Sequence, residues 1–205
     1  MSEEFTTIDE KASYGIGRQV GEQLASQPFD GMSPKAVIAG IADVLEGNPT
    51  RVSENEIKAA IDDLNKRLMK QQNQAAGMQA EEGEQFLKDN SDRDEITVTG
   101  SGLQYEIITA GDGESPTADS TVKVHYHGTL IDGTVFDSSV NRGEPIEFNV
   151  GGVIPGWTEA LQLMKVGDKW KLYIPYQLAY GANGAGGVIG PYQALIFEVE
   201  LLGIS

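Results

Sequence analysis

The chain has 205 residues, no cysteine, two histidines and a formal charge of −16 from 15 basic and 31 acidic side chains. That length allows one or two domains at roughly 100 to 200 residues each, enough for a sizeable core. Lack of cysteine excludes disulfide frameworks, cysteine-ligated metal sites and thiol nucleophiles and fits a reducing compartment, and an acidic chain without a basic run is a poor partner for nucleic acid or anionic lipid.

The two halves are built differently. Residues 1–95 hold 8 glycines and 4 aromatics, residues 96–205 hold 17 and 11, and the acidity is spread over both. Met1-Ser2-Glu3-Glu4-Phe5 lacks the basic and apolar regions of a secretory signal, and no apolar run approaches the ~18 residues of a membrane span. The expectation is a soluble, cytoplasmic protein.

From Thr7 to about Ala25, Ile8, Ala12, Ile16, Val20 and Leu24 recur every four residues, the period of an amphipathic helix, with Ser13, Gly17 and Gly21 beside them as a small-residue row that admits another backbone. A second helix is punctuated by Ser33 as N-cap, Pro34 at its first position and Gly47 as its stop, with Val37, Ile38, Ile41, Val44 and Leu45 on one face. A third opens on the capping box Ser53-Glu54-Asn55-Glu56 and carries Ile57, Ile61, Leu64 and Leu68 before its stripe fades. With no proline in residues 50–115, it runs from about Glu54 to Lys88, some 50 Å at about 1.5 Å per residue. Its first half is sticky and its second mostly polar, the pattern of a rod docked at one end and exposed along the rest.

Residues 1–52 are too short to bury a sufficient core alone, and composition excludes a disulfide or metal staple. We therefore expect them to pack, with the start of the third helix, against a second copy as a homodimer. The alternative is that they fold back onto the C-terminal domain. The expected divisions are 1–52, a helical dimerisation module; 53–90, a connecting helix; and 91–205, a second domain.

From Gly102 the texture changes to period two. Leu103–Thr109, Val122–His127, Lys169–Ile174 and Ala194–Leu202 read as strands, Asp132-Gly133 as a type I′ hairpin turn, and Trp157–Met164 as one short helix entered through Pro155-Gly156. This is an α+β domain with the helix covering one sheet face. There is no nucleophile elbow or phosphate loop, and Gly181–Gly187 lacks a strand-to-helix setting and reads as a mobile loop. His125 and His127 share a strand face without a third metal ligand nearby.

Val124-His125-Tyr126-His127-Gly128, Asp132–Ser139, Val153-Ile154-Pro155-Gly156-Trp157, Leu178-Ala179-Tyr180-Gly181 and Leu195–Leu202 resemble, in order and spacing, the FKBP-type peptidyl-prolyl cis–trans isomerases. The N-terminal half, through Ser13-Tyr14-Gly15-Ile16-Gly17 and its helix pattern, is similar to that of the two-domain bacterial macrophage-infectivity-potentiator-like group. The resemblance implies an all-α dimerisation module and long connecting helix, then a curved antiparallel sheet wrapped around a short helix. It also implies an apolar cleft for a prolyl side chain, no cofactor and no metal. The implied catalytic residues are Tyr126, Phe136, Asp137, Trp157, Tyr180 and Phe197. The implied substrate- and macrolide-binding residues are Arg142, Ile146, Phe148, Val153, Ile154, Val188 and Ile189. Trp157 is the expected platform under the pyrrolidine ring, and Ile154 N–H and the Tyr180 hydroxyl hold substrate carbonyls. Asp137 is expected to orient Tyr126 or Arg142, with direct interaction with the twisted amide as the other reading.

Ile146, Ala185 and Gly190 stand where the best-known members carry an aromatic, a histidine and a proline. The expected partners are proline-containing unfolded or partly folded proteins, a second copy of the chain, and macrolides such as rapamycin. A non-catalytic chaperone or client-binding module using the same cleft is the alternative.

Overall fold

The computed structural model describes residues 5–26 and 28–205. The chain forms two compact units, residues 1–70 and 71–205, the division falling inside one helix. In the first unit, helix ends follow local chemistry. α1 (Ile8–Ala25) starts at a capping box in which Glu10 N–H donates to Thr7 Oγ1 at 3.2 Å and Thr7 N–H donates to Glu10 Oε2 at 2.9 Å. α2 (Pro34–Glu46) lies between the Ser33 cap and Gly47, whose φ of 71° ends the helix without a Cβ clash. α3 (Glu54–Ser91, 38 residues) opens on Ser53, which accepts from Glu56 N–H at 3.3 Å and donates its own N–H to the Glu56 carboxylate at 3.1 Å. Among the described residues of this unit no apolar side chain is buried: Ile8 is 85% exposed and Leu45 81%.

The second unit begins with the later turns of α3. Ala76, Gln79, Ala80, Phe86 and Leu87 are half-buried and Gly83 and Asn90 buried, so this stretch is not the exposed rod its polarity predicts. Alanine and glycine add little hydropathy yet let a helix lie close. The buried polar group is satisfied, since Asn90 Nδ2 donates to Gln104 Oε1 at 2.8 Å and Gln104 Nε2 donates to the Leu87 carbonyl at 2.8 Å. Phe86 packs on Tyr173, ring centroids 6.1 Å apart.

Seven strands make one sheet: β1 (Thr97–Val98), β2 (Gln104–Thr109), β3 (Thr121–Leu130), β4 (Val135–Ser138), β5 (Ile146–Asn149), β6 (Lys169–Ile174) and β7 (Leu195–Ile204). Every pairing is antiparallel, in the order β1-β2-β6-β7-β3-β4, with β5 also on β3. β1, β4 and β5 have two to four residues, too few for a period-two pattern to announce them. On β3 Val122, Val124, Tyr126, Gly128 and Leu130 face inward and alternate with less buried neighbours. They meet α5 (Pro155–Leu163), whose Ala160 and Leu161 are fully buried with Leu172, Ile174, Val199 and Leu201. Gly156 allows this docking, because a Cβ there would stand 2.6 Å from Ile174 Cγ2.

The Asp132-Gly133 hairpin forms by a different turn from the one expected. Leu130 N–H donates to the Thr134 carbonyl at 2.9 Å and Gly133 N–H to the Leu130 carbonyl at 3.1 Å, closing a three-residue loop. Only Gly133 takes a positive φ (87°), whereas type I′ needs two such residues. Asp132 instead accepts from Thr134 N–H at 2.8 Å through its carboxylate.

One topological detail positions the site. β5 pairs with β3 from Thr121 to Val124 and β4 pairs with it from His127 to Thr129, so His125 and Tyr126 have no strand partner on that edge. The four-residue helix α4 (Ser139–Arg142) connects β4 toward β5. Its fully buried Ser139 fills the gap, Oγ accepting from Tyr126 N–H at 2.8 Å and donating to the Tyr126 carbonyl at 3.3 Å.

Candidate active site

A cavity of about 890 Å³ opens on the inner face of the sheet. Tyr126, Phe136, Asp137, Arg142, Ile146, Phe148, Val153, Ile154, Trp157, Tyr180, Val188, Ile189 and Phe197 all line it, joined by Gly152, Ala185 and Gly186. The floor is Trp157, at the start of α5 and 4% exposed. Tyr126, Phe148 and Phe197 meet its ring edge to face, at centroid distances of 5.3, 5.7 and 5.2 Å and interplanar angles of 84°, 85° and 79°. This geometry sets positive ring edges against negative faces and holds four aromatics in one arrangement. Phe136 extends the wall, edge-on to Phe197 at 5.3 Å. It fits because residue 128 is glycine: a Cβ there would lie 2.7 Å from the Phe136 ring and 2.8 Å from Phe197.

The polar side follows from the gap along β3. Asp137, near the end of β4, and Arg142, at the end of α4, converge on Tyr126. The Tyr126 hydroxyl donates to one Asp137 oxygen, Arg142 donates to the other, and Arg142 Nη2 also reaches the Tyr126 oxygen at 3.1 Å. Ser138 N–H donates to Asp137 Oδ1 at 2.8 Å, and the guanidinium lies 5.7 Å from the Tyr126 ring centroid. Partial burial pushes the Asp137 carboxyl upward, but the hydrogen bonds from Tyr126 and Arg142 and the guanidinium charge outweigh it and hold it below the ordinary carboxylate range. Burial, with the Asp137 carboxylate beside it, pushes the Tyr126 phenol up. The carboxylate is therefore ionised and its oxygens are engaged, which suits a positioning group better than a base.

Ile154 caps α5, its carbonyl accepting from Trp157 and Thr158 N–H at 2.9 and 3.0 Å. Tyr180, Val188 and Ile189 come from the long connection to β7. That connection is held by its own bonds: Ala185 and Ile189 exchange both backbone bonds at 2.8 and 3.0 Å, and Tyr192 N–H donates to the Gly181 carbonyl at 2.8 Å. Ile146 forms part of the rim as the strand partner of Val124. The glycine at 190 frees an N–H that a proline would lack, and it donates to Gln193 Oε1 at 2.7 Å.

The residues that sequence reasoning left without a role are Ser138 and Ser139. Ser138 Oγ caps α4 by accepting from Asn141 N–H at 3.1 Å, and Ser139 ties Tyr126 into the gap. Their hydroxyls lie 2.9 and 3.0 Å from His127 and His125 Nδ1 respectively, which accounts for both histidines. Among the described residues no group of three metal-ligating side chains occurs. The signal for Ser139 was the second serine after Asp137, which has meaning only once β4 and β5 are known to share an edge.

A family model described as FKBP-type peptidyl-prolyl cis-trans isomerase matches residues 112–202, and one described as the domain amino terminal to that isomerase matches residues 9–107. The FKBP-type 22 kDa peptidyl-prolyl cis-trans isomerase of Escherichia coli (strain K12) is 50% identical over 200 residues, 98% of this chain and 97% of its own length. The chain belongs to the FKBP-type peptidyl-prolyl cis–trans isomerases. Its enzyme class is accordingly that of the rotamases, which turn the bond before proline. Outer membrane protein MIP of Legionella longbeachae is 42% identical over 98% of this chain and 88% of its own. The crystal structure of FkpA from Escherichia coli matches with a TM-score of 0.77 at 33% identity, covering 98% of this chain and 99% of that one. The cytoplasmic compartment expected from the sequence gains no support from a set that includes an outer membrane protein. Among the described residues no helix is long and apolar enough to cross a membrane.

Proposed function

We propose that this FKBP-type isomerase takes X–Pro segments of unfolded and partly folded proteins into the Trp157 cleft and acts on them as a homodimer. The observation that carries the cleft assignment is the convergence of thirteen separately encoded residues on one aromatic-floored cavity. Rotation about X–Pro faces a barrier of about 18–20 kcal/mol because amide resonance must break. At the twisted transition state the carbonyl and nitrogen are decoupled, so the imide loses charge separation and depends less on water. A dry aromatic cleft then binds the twisted form better than the planar one, and each 1.36 kcal/mol of that difference gives about tenfold in rate.

Trp157 supplies the platform for the pyrrolidine ring, with Tyr126, Phe136, Phe148, Val153 and Phe197 as walls. Ile154 N–H and the Tyr180 hydroxyl hold the flanking carbonyls and select which bond turns. Asp137 orients Tyr126 and Arg142 rather than offering a bare charge to the substrate carbonyl, which it would repel. The reaction makes and breaks no covalent bond, consistent with a site built from rings. The test is a prolyl tetrapeptide assay on the full chain with and without rapamycin: catalysis abolished by stoichiometric macrolide supports the reading, and a chain without measurable turnover overturns it.

The homodimer rests on a separate observation, the first unit's lack of any buried apolar side chain among its described residues. Ile16, Val20, Ile38, Ile41, Ile57 and Ile61 are all exposed, an amount of apolar side chain that favours association. A second copy of the same helices covers such a face symmetrically. Two clefts on one dimer hold a client at two points and raise its effective concentration, which is the proposed basis of chaperone-like binding. Sedimentation equilibrium of the full chain decides: twice the 22.0 kDa chain mass is expected, and a monomer at micromolar concentration overturns the dimer.

A further inference from the structure

The chain connecting residue 179 to β7 forms one wall of the cleft through Tyr180, Val188 and Ile189. Its return arm, Gly190 to Ala194, lies against α3. A Cβ built on Gly83 would stand 3.3 Å from Ala194 Cβ, 3.5 Å from Ala194 N and 4.0 Å from the Tyr192 carbonyl oxygen. One built on Gly190 would stand 3.1 Å from Gln79 Oε1. Gln79 and Gly83, one helical turn apart, thus back the arm from behind while Val188 and Ile189 face the cavity from its other limb.

The helix cannot readily yield at this point. Seven residues on, and on the same face, Asn90 is locked to Gln104 at 2.8 Å, and Arg93 ties Asn90 Oδ1 to the Tyr173 hydroxyl at 2.9 and 3.1 Å. The return arm is held as well. Tyr192 has a φ of 58°, a left-handed conformation costly for a bulky residue, and is held there by its bond to Gly181 and an edge contact with Tyr176 at 5.2 Å. A displacement at Gly190 passes to its chain neighbour Ile189, which is 8% exposed and part of the core cluster, because packed interiors shift rather than compress.

We propose that Gln79 and Gly83 of α3 are positioning residues for the isomerase site: the helix sets where the Val188–Ile189 wall stands and so tunes recognition of the residue before proline. This rests on the cleft being the substrate site, as proposed above. The test measures kcat and KM for a series of X-Pro tetrapeptides with the full chain and variants. Gly83→Val is expected to raise KM by about threefold or more and to reorder the preference for X, with kcat changed less than about twofold. Gly77→Val on the same helix makes the same propensity change where a Cβ would meet nothing within 4 Å, and is expected to leave the profile unchanged. Gly83→Ala with Ala194→Gly, which exchanges the methyl groups across the contact, is expected to restore the native preference that Gly83→Ala alone disturbs. If Gly83→Val does not fold, Gln79→Ala removes support without adding bulk and is expected to shift the same preference.

An unchanged KM and X preference in folded Gly83→Val, or in Gln79→Ala where Gly83→Val does not fold, overturns the inference. So does a preference shift that Gly77→Val reproduces. An inactive native chain overturns the site reading instead, so the two failures are distinguishable.

Discussion

Tyr126 and Asp137 face each other where β4 and β5 leave a gap along β3, the phenol O–H donating a hydrogen bond to the carboxylate. Because Arg142 grips the other oxygen, the pair is a braced wall of the cleft rather than an acid–base couple. Asp137→Asn keeps the shape but removes the charge that strengthens both bonds. We expect kcat/KM to fall about three- to tenfold with little change in fold, read by a tetrapeptide assay; a loss of about a thousandfold would make Asp137 a direct participant.

The same pair has a pH signature. Asp137 titrates below its ordinary value in the folded chain, so its stabilisation is fully present above the unfolded pKa, about 3.9, and is lost as pH falls through the lower folded value. Between pH 5 and 8 this group leaves stability flat. Urea midpoints measured from pH 6 down to pH 2 are expected to fall less steeply in Asp137→Asn than in the native chain.

Trp157 sits at the centre of three edge-to-face contacts, and its ring is the cleft floor. Trp157→Leu removes the platform and leaves a void beneath it, expected to cost about 2–4 kcal/mol of stability and at least about tenfold in kcat/KM. Chemical denaturation beside the tetrapeptide assay separates the two losses. Full retained kcat/KM in a folded variant would refute the platform role.

Position 128 faces inward on β3, and only glycine fits there because two rings occupy the space a Cβ would take. Gly128→Ala forces Phe136 or Phe197 aside. The expected cost is about 1–3 kcal/mol by overpacking, with weakened macrolide binding in titration calorimetry.

The boundary of the isomerase unit is testable by truncation. A chain starting at residue 91 loses Asn90 and Leu87, both hydrogen-bond partners of the Gln104 side chain, at about 0.5–1.5 kcal/mol for each bond. Residues 71–205 keep the contact and are expected to melt several degrees higher than residues 91–205 by calorimetry. Both lack the first unit and are expected to catalyse refolding of a proline-limited protein less well than the full chain.

Much of this protein is readable from nearest neighbours in the chain. Ser33, Pro34 and Gly47 bound α2 because caps act within one turn, and the alternation of Val122, Val124 and Tyr126 marks β3 because side chains on a strand point to opposite faces. The ordered motifs contain eight of the residues that line the cavity, and the family resemblance they carry supplied Arg142, Ile146, Phe148, Val188 and Ile189. The later turns of α3 pack closely despite their polarity because Ala76, Ala80 and Gly83 contribute closeness rather than hydropathy, and because the buried Asn90 amide is satisfied by Gln104.

The sequence by itself determined the caps, the periods and the inventory of rings, all of which depend on residues a few positions apart. Tertiary structure alone decided that β4 and β5 divide one edge of β3, that Ser139 serves the gap between them, and that Gly83 lies beside Ala194. Those pairings join segments far apart in the chain, and their free energy comes from excluding water between surfaces that meet only when the whole unit has closed.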